Sequence, residues 1–139
     1  MTSRPLDNLV AIGQLKAEPK AQSEFTGLVD SGMARLTDAE TSSLSIESRF
    51  DLIYNAAHAL SLAALRWHGY RPAKRFIVFQ TLAHTLDLPS EEWRVLDRAH
   101  TTRNNVEYEG VGNVDEQLVA AMLRVTKRVA EAVNKLAML

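Results

Sequence analysis

The sequence has no cysteine. That absence excludes disulfides, thiolate catalysis and any cysteine-based zinc site, and it fits a reducing compartment. The chain does not open with a basic stretch followed by an apolar core, so no secretory signal is expected and cytoplasm is the expected location. A membrane span is not expected either. Between Leu52 and Leu65 no residue carries a formal charge, but this run is too short and too interrupted to cross a bilayer. Internal repeats and low-complexity segments are missing as well. Net charge is almost nil at −1, yet it is unevenly spread. Met1–Ser48 holds four basic and seven acidic residues, whereas Arg66–Arg103 holds seven basic against four acidic, a net of +3. Three of the four histidines, His68, His84 and His100, lie in that basic part. An anionic partner fits such an imbalance; a solvated helix face would look similar.

What the chain does contain is helical periodicity over 139 residues, enough for one domain with a real core. The central stretch is Ser45–Gly69. Ile46, Phe50, Ile53, Ala57, Leu60, Ala64 and Trp67 recur at alternating steps of four and three, which is one helix face. A second row, Leu52, Ala56, Ala59 and Ala63, is mostly alanine and lets another helix approach closely. A helix apolar nearly all round is buried on several sides, so the remaining segments are expected to pack around this one. Gly69 is its expected stop.

The other segments follow the same period. Pro5–Ala17 is expected as a short first helix and Ser23 to about Glu40 as a second, with Ser23 as its cap. Gly27 and Gly32 each weaken the second helix by roughly 1 kcal/mol against alanine. Ala73–Leu86 is read as a helix although Phe76–Phe79 also suits a strand, because no partner strand is evident and an isolated strand is unstable. A fifth helix opens at Pro89-Ser90-Glu91-Glu92 and ends near Gly110 or Gly112. A last one starts at Asn113–Glu116 and carries a seam of Val114, Leu118, Met122, Val125, Val129, Val133 and Leu136. The expected fold is therefore all-α, an antiparallel up-and-down bundle of five or six helices without a sheet.

Polar chemistry gathers in two places. Asp51, Asn55 and His58 form a narrow line on the central helix, and buried polar groups need partners. They offer too few ligands for a metal site, with no second carboxylate at helical spacing; no metal or cofactor is expected. The fifth helix carries Arg94, Arg98, His100, Arg103, Asn104, Asn105, Glu107 and Tyr108. Trp93, Leu96, Ala99 and Val106 lean to one side of it, and Arg103 falls within that apolar side, with His100 and Glu107 close by. A guanidinium there must be paired or must face a crevice. An Arg103–Glu107 pair at i, i+4 is the structural alternative. Trp67 and Trp93 are expected in the core, and Arg71, Lys74 and Arg75 in solvent.

The chain resembles the HEPN family, a group of nucleotide-binding domains of higher eukaryotes and prokaryotes. The resemblance is carried by Tyr54-Asn55-Ala56-Ala57-His58-Ala59-Leu60 in the central helix, by its Gly69-Tyr70-Arg71 exit, and by Arg103-Asn104-Asn105-Val106-Glu107-Tyr108 in a late helix. It covers roughly Ser43 to Leu136. The family motif is an Arg followed by a polar residue and, four to six residues on, a His. Arg103-Asn104 matches its front half, and Tyr108 stands where the His belongs. The resemblance implies a bundle that forms a homodimer, with the motifs of two protomers lining one basic cleft. It also implies metal-independent RNA cleavage in active members, many of them toxins with an antitoxin or nucleotidyltransferase partner. Carried over, Arg103 would clamp phosphate, Asn104 would position it, and Tyr108 would replace the proton shuttle. Asp51, Asn55, His58, Arg98, His100 and Glu107 would support the cleft.

A phenol titrates near 10 and is a poor base at neutral pH, though it donates to phosphate and stacks on bases. His100, three residues before Arg103, is another imidazole that could serve, but the motif does not place it there. The expected function is accordingly an RNA- or nucleotide-binding module with little or no catalysis. The alternatives are a metal-independent endoribonuclease of toxin–antitoxin or defence type and a structural helical dimer without ligand.

Overall fold

The computed structural model describes residues 4–41, 43–109 and 114–139, the stretch 106–109 by its backbone alone. Five helices of two or more turns dominate: α1 (Arg4–Ala11), α2 (Gln22–Ala39), α3 (Ile46–Trp67), α6 (Ser90–Glu109) and α7 (Glu116–Ala137). Two single turns, α4 (Ile77–Gln80) and α5 (Leu82–Thr85), link α3 to α6. The chain is an all-α bundle, as the periodicity implies. No described helix is long and apolar enough to cross a membrane.

Three local expectations need correction. The first helix ends at Ala11 instead of reaching Ala17, because Gly13 takes φ +79. Gly13 N–H bonds to the Val10 carbonyl and Gln14 N–H to the Leu9 carbonyl, a Schellman closure that only a residue at ease with positive φ completes. The freed segment Leu15–Ala17 (β1) then pairs antiparallel with Tyr70–Pro72 (β2), in the register Leu15↔Pro72, Lys16↔Arg71, Ala17↔Tyr70. An all-α reading without any sheet misses this ribbon. The 73–86 segment is likewise not one helix but the two turns α4 and α5, after a loop through Lys74 and Arg75.

Helix α3 lies at the centre, as its apolar rows require. Ile53, Ala56, Ala57, Leu60, Ala63 and Ala64 are sealed from solvent, covered by α2, α7 and the α4–α6 segment. Its caps are local. The Ser45 hydroxyl accepts from Ser48 N–H at 3.1 Å, and Gly69 (φ +88) ends the helix. Helix α7 begins with the Asp115 carboxylate accepting from Leu118 N–H at 2.7 Å, and its seam of Leu118, Met122, Val125, Val129 and Val133 is buried. Trp67 and Trp93 pack half-buried against the core. A second small core of Leu6, Leu15, Leu65, Tyr70 and Ile77 fastens α1 and β1 beside α4.

The two α2 glycines play opposite parts. A Cβ on Gly32 would lie 2.7 Å from Leu60 Cγ and 3.3 Å from the Ala56 carbonyl oxygen, so α2 crosses α3 at van der Waals distance there. A Cβ on Gly27 would meet no atom within 4 Å. Gly27→Ala should therefore raise stability by roughly 0.5–1 kcal/mol through helix propensity. Gly32→Ala should lower it by about 1–3 kcal/mol through overpacking. Urea denaturation of both variants checks the pair; equal effects would mean that α2 does not pack on Leu60.

Candidate functional site

Three elements bring the polar residues together. From α3, Tyr54 is buried and His58 half-buried; from α6 come His100, Arg103 and Asn104, spaced at 0, +3 and +4 and so on one helix face. From α4, Phe79 closes the back, edge-on to Tyr54 (centroids 5.8 Å apart, 78°) and to His58 (6.2 Å, 88°). Tyr54 Oη lies 2.9 Å from His100 Nδ1, and Asn104 Nδ2 lies 3.3 Å from His100 Nε2. With the Asn104 amide donating to Nε2, the neutral ring carries its proton on Nδ1 and donates it to the Tyr54 oxygen. The Arg103 guanidinium rests over the Tyr54 ring, its Cζ 4.9 Å from the centroid, a cation–π arrangement.

The electrostatics follow from burial beneath two cations. Burial pushes the His58 pKa down to about 4, helped by the charges of Arg75, Arg103 and His100. His100 is lowered too, first by burial and then by Arg75 and Arg103, while Asp97 works the other way. Both shifts favour the neutral imidazole. His58 Nε2 is sealed, with no hydrogen-bond partner among the described residues. Neutral imidazole beside guanidinium is a set that binds phosphate oxygens and can exchange a proton with a neighbouring hydroxyl. Among the described residues, no three His, Asp or Glu side chains converge as a metal site.

The expected site residues thus separate. His58, His100, Arg103 and Asn104 meet in one cluster. Asp51 and Asn55 are exposed on α3. Arg98 faces away, lining a shallow depression with Thr102, Asp115 and Gln117 at the start of α7. The side chains of Glu107 and Tyr108 lie outside the described residues, and with them the Arg103–Glu107 pair.

Sequence reasoning missed three members. Tyr54 fits the Asp51–His58 line as well as Asn55 does, since steps of three then four and four then three are both helical. It is Tyr54 that turns inward. Phe79 was hidden in the strand-like run, and Arg75 was expected in solvent; Arg75 is exposed, yet its charge reaches both histidines. Arg71, also expected in solvent, instead bonds Glu18 at 2.8 Å and Glu24 at 2.6 Å. Comparison with family models, with curated proteins and with solved structures gives no match.

Proposed function

We propose that this chain is a HEPN-like module that binds the phosphate of an RNA or a nucleotide at the cluster between α3, α4 and α6. The observation that carries the reading is Arg103. Its guanidinium lies over the Tyr54 ring next to a histidine bonded on both nitrogens, and it keeps partial exposure. A fork of donors held in place in this way suits phosphate oxygens. Arg103→Ala should weaken binding of a labelled RNA or nucleotide about tenfold or more, the scale of one charge-assisted hydrogen bond. The melting temperature should stay within a few degrees. Unaltered binding, or an unfolded variant, would remove Arg103 from the site.

A second reading, RNA cleavage without metal, is favoured by His100. It supplies an imidazole at Arg103, the role the family motif gives to the residue that is Tyr108 here. A ribose hydroxyl that displaced the Asn104 amide would meet the basic lone pair of Nε2. Its proton would pass to that nitrogen as the 2′-oxygen attacks the adjacent phosphorus, Arg103 would offset the added negative charge, and the 5′-oxygen would leave with a proton from solvent. His100→Gln keeps hydrogen-bonding capacity and loses the base. It should abolish cleavage in the presence of a chelator while leaving RNA binding in place. Pairing of two copies rests on the family resemblance alone, because the apolar rows of α3 are already covered within the chain. So does a cognate antitoxin or nucleotidyltransferase partner.

A further inference from the structure

The turn that precedes α4 exposes three consecutive residues, Lys74, Arg75 and Phe76. Phe76 is 44% exposed and belongs to neither apolar core, although the residues that follow it, Ile77, Val78 and Phe79, are buried. Backbone bonds from Ile77 N–H to the Lys74 carbonyl and from Val78 N–H to the Arg75 carbonyl make the turn continuous with α4. Arg75 and Phe79 are therefore four residues apart on one face. Phe79 packs against Tyr54 and His58, and the Arg75 charge acts on His58 and His100, so the exposed turn lies next to the cluster.

The cations of this turn differ from their neighbours. Arg66 and Arg71 are committed to Glu18 and Glu24. Lys74 and Arg75 pair with no carboxylate of the described residues. An unpaired ammonium and guanidinium beside an exposed aromatic ring is the combination that holds a strand's phosphates and stacks its bases. A flat anionic surface would meet the same residues but would have no bases to stack on the Phe76 ring.

We propose that Lys74, Arg75 and Phe76 hold a single strand of nucleic acid beside the Arg103 cluster, with one base stacked on the Phe76 ring. The inference rests on the phosphate-binding reading above and narrows it from any nucleotide to a polynucleotide whose bases are unpaired.

Fluorescence anisotropy with the full chain tests it, using a short labelled RNA, the same sequence as DNA, an RNA duplex and an abasic strand of equal charge. Phe76→Ala should weaken the RNA or DNA single strand about fivefold or more, the scale of one lost stack. Binding of the duplex and the abasic strand should not change. Phe76→Trp should restore single-strand binding, which separates stacking from folding. Whichever of RNA and DNA binds more tightly identifies the natural strand. If Arg103→Ala weakens single-strand binding and Phe76→Ala does not, the stacking platform is wrong and the phosphate site stands. If neither variant matters, both fall. Phe76-dependent binding of anionic lipid vesicles, with oligonucleotide binding unaffected, would also overturn the proposal.

Discussion

Arg66→Met should destabilise the fold by about 3–5 kcal/mol, as expected when one partner of a buried charge network is removed. Arg66 sits in the last turn of α3 with 1% of its surface exposed. Nε donates to Glu24 Oε1 at 2.7 Å. One terminal nitrogen donates to the carbonyls of Glu18 (2.9 Å) and Tyr70 (3.2 Å), the other to that of Pro19 (2.6 Å), with the Glu18 carboxylate 3.4 Å away. The guanidinium thus makes four hydrogen bonds, to the β1–α2 link, α2 and β2, and the Glu18 carboxylate adds an ion pair. Methionine keeps the apolar stem and takes the guanidinium donors away from the buried Tyr70 carbonyl and the part-buried Glu18 and Pro19 carbonyls. Arg66→Lys should fall between parent and Met, because an ammonium has three donors and no fork. Arg71→Ala, at the solvent side of the same network, should cost far less. Guanidinium denaturation orders the three. A loss below about 1 kcal/mol for Arg66→Met would mean that the network does not fasten the N-terminal segment to α3.

Lowering the pH from 7 to 4 should remove about 3 kcal/mol of stability through His58 alone. The folded protein keeps this ring neutral down to about pH 4. The unfolded chain takes up its proton near 6.5. Between those values the unfolded state binds more protons, so stability falls as pH falls and levels off below about 4. His100 is shifted in the same direction and adds to the slope. Glu24 and Glu18 are lowered chiefly by their bonds to Arg66 and Arg71, so what they contribute is present above the ordinary carboxylate range and is lost only at more acid pH. The two windows are therefore separable. His58→Leu removes the titrating ring along with its unpartnered Nε2, so the variant should match or exceed the parent at pH 7 and show a much flatter profile from 6.5 to 4. Urea midpoints across that range decide it. An unchanged slope in the variant would place the acid sensitivity elsewhere.

Much of the fold was legible because it is local. The four-and-three spacing of Ile53, Ala57, Leu60 and Ala64, the alanine row beside it and the Gly69 stop define α3 before any partner is known. The α7 seam and its Asp115 start are equally plain. The fifth helix stands out as the chemical segment by its density of polar residues and by Arg103 on its apolar side; that His100, Arg103 and Asn104 share a face follows from their spacing. The same periodicity misled at Gly13, where a glycine inside an apolar pattern reads as a weak helix residue, while its positive φ closes the helix and frees Leu15–Ala17.

What spacing left open was decided by residues far away in the chain. Tyr54 and Asn55 fit the polar line of α3 equally well; contact with Phe79 and His100 makes Tyr54 the buried member. Arg66, Arg71 and Arg75 look alike as cations around a turn. Glu18 and Glu24, brought across by the β1–β2 ribbon, neutralise the first two, and the charge of Arg75 is left to act on the histidines. Helix period and caps depend on neighbours within four residues, so the sequence determines them directly. Burial, pairing and charge environment depend on which distant segments pack together, and only the tertiary structure decides those.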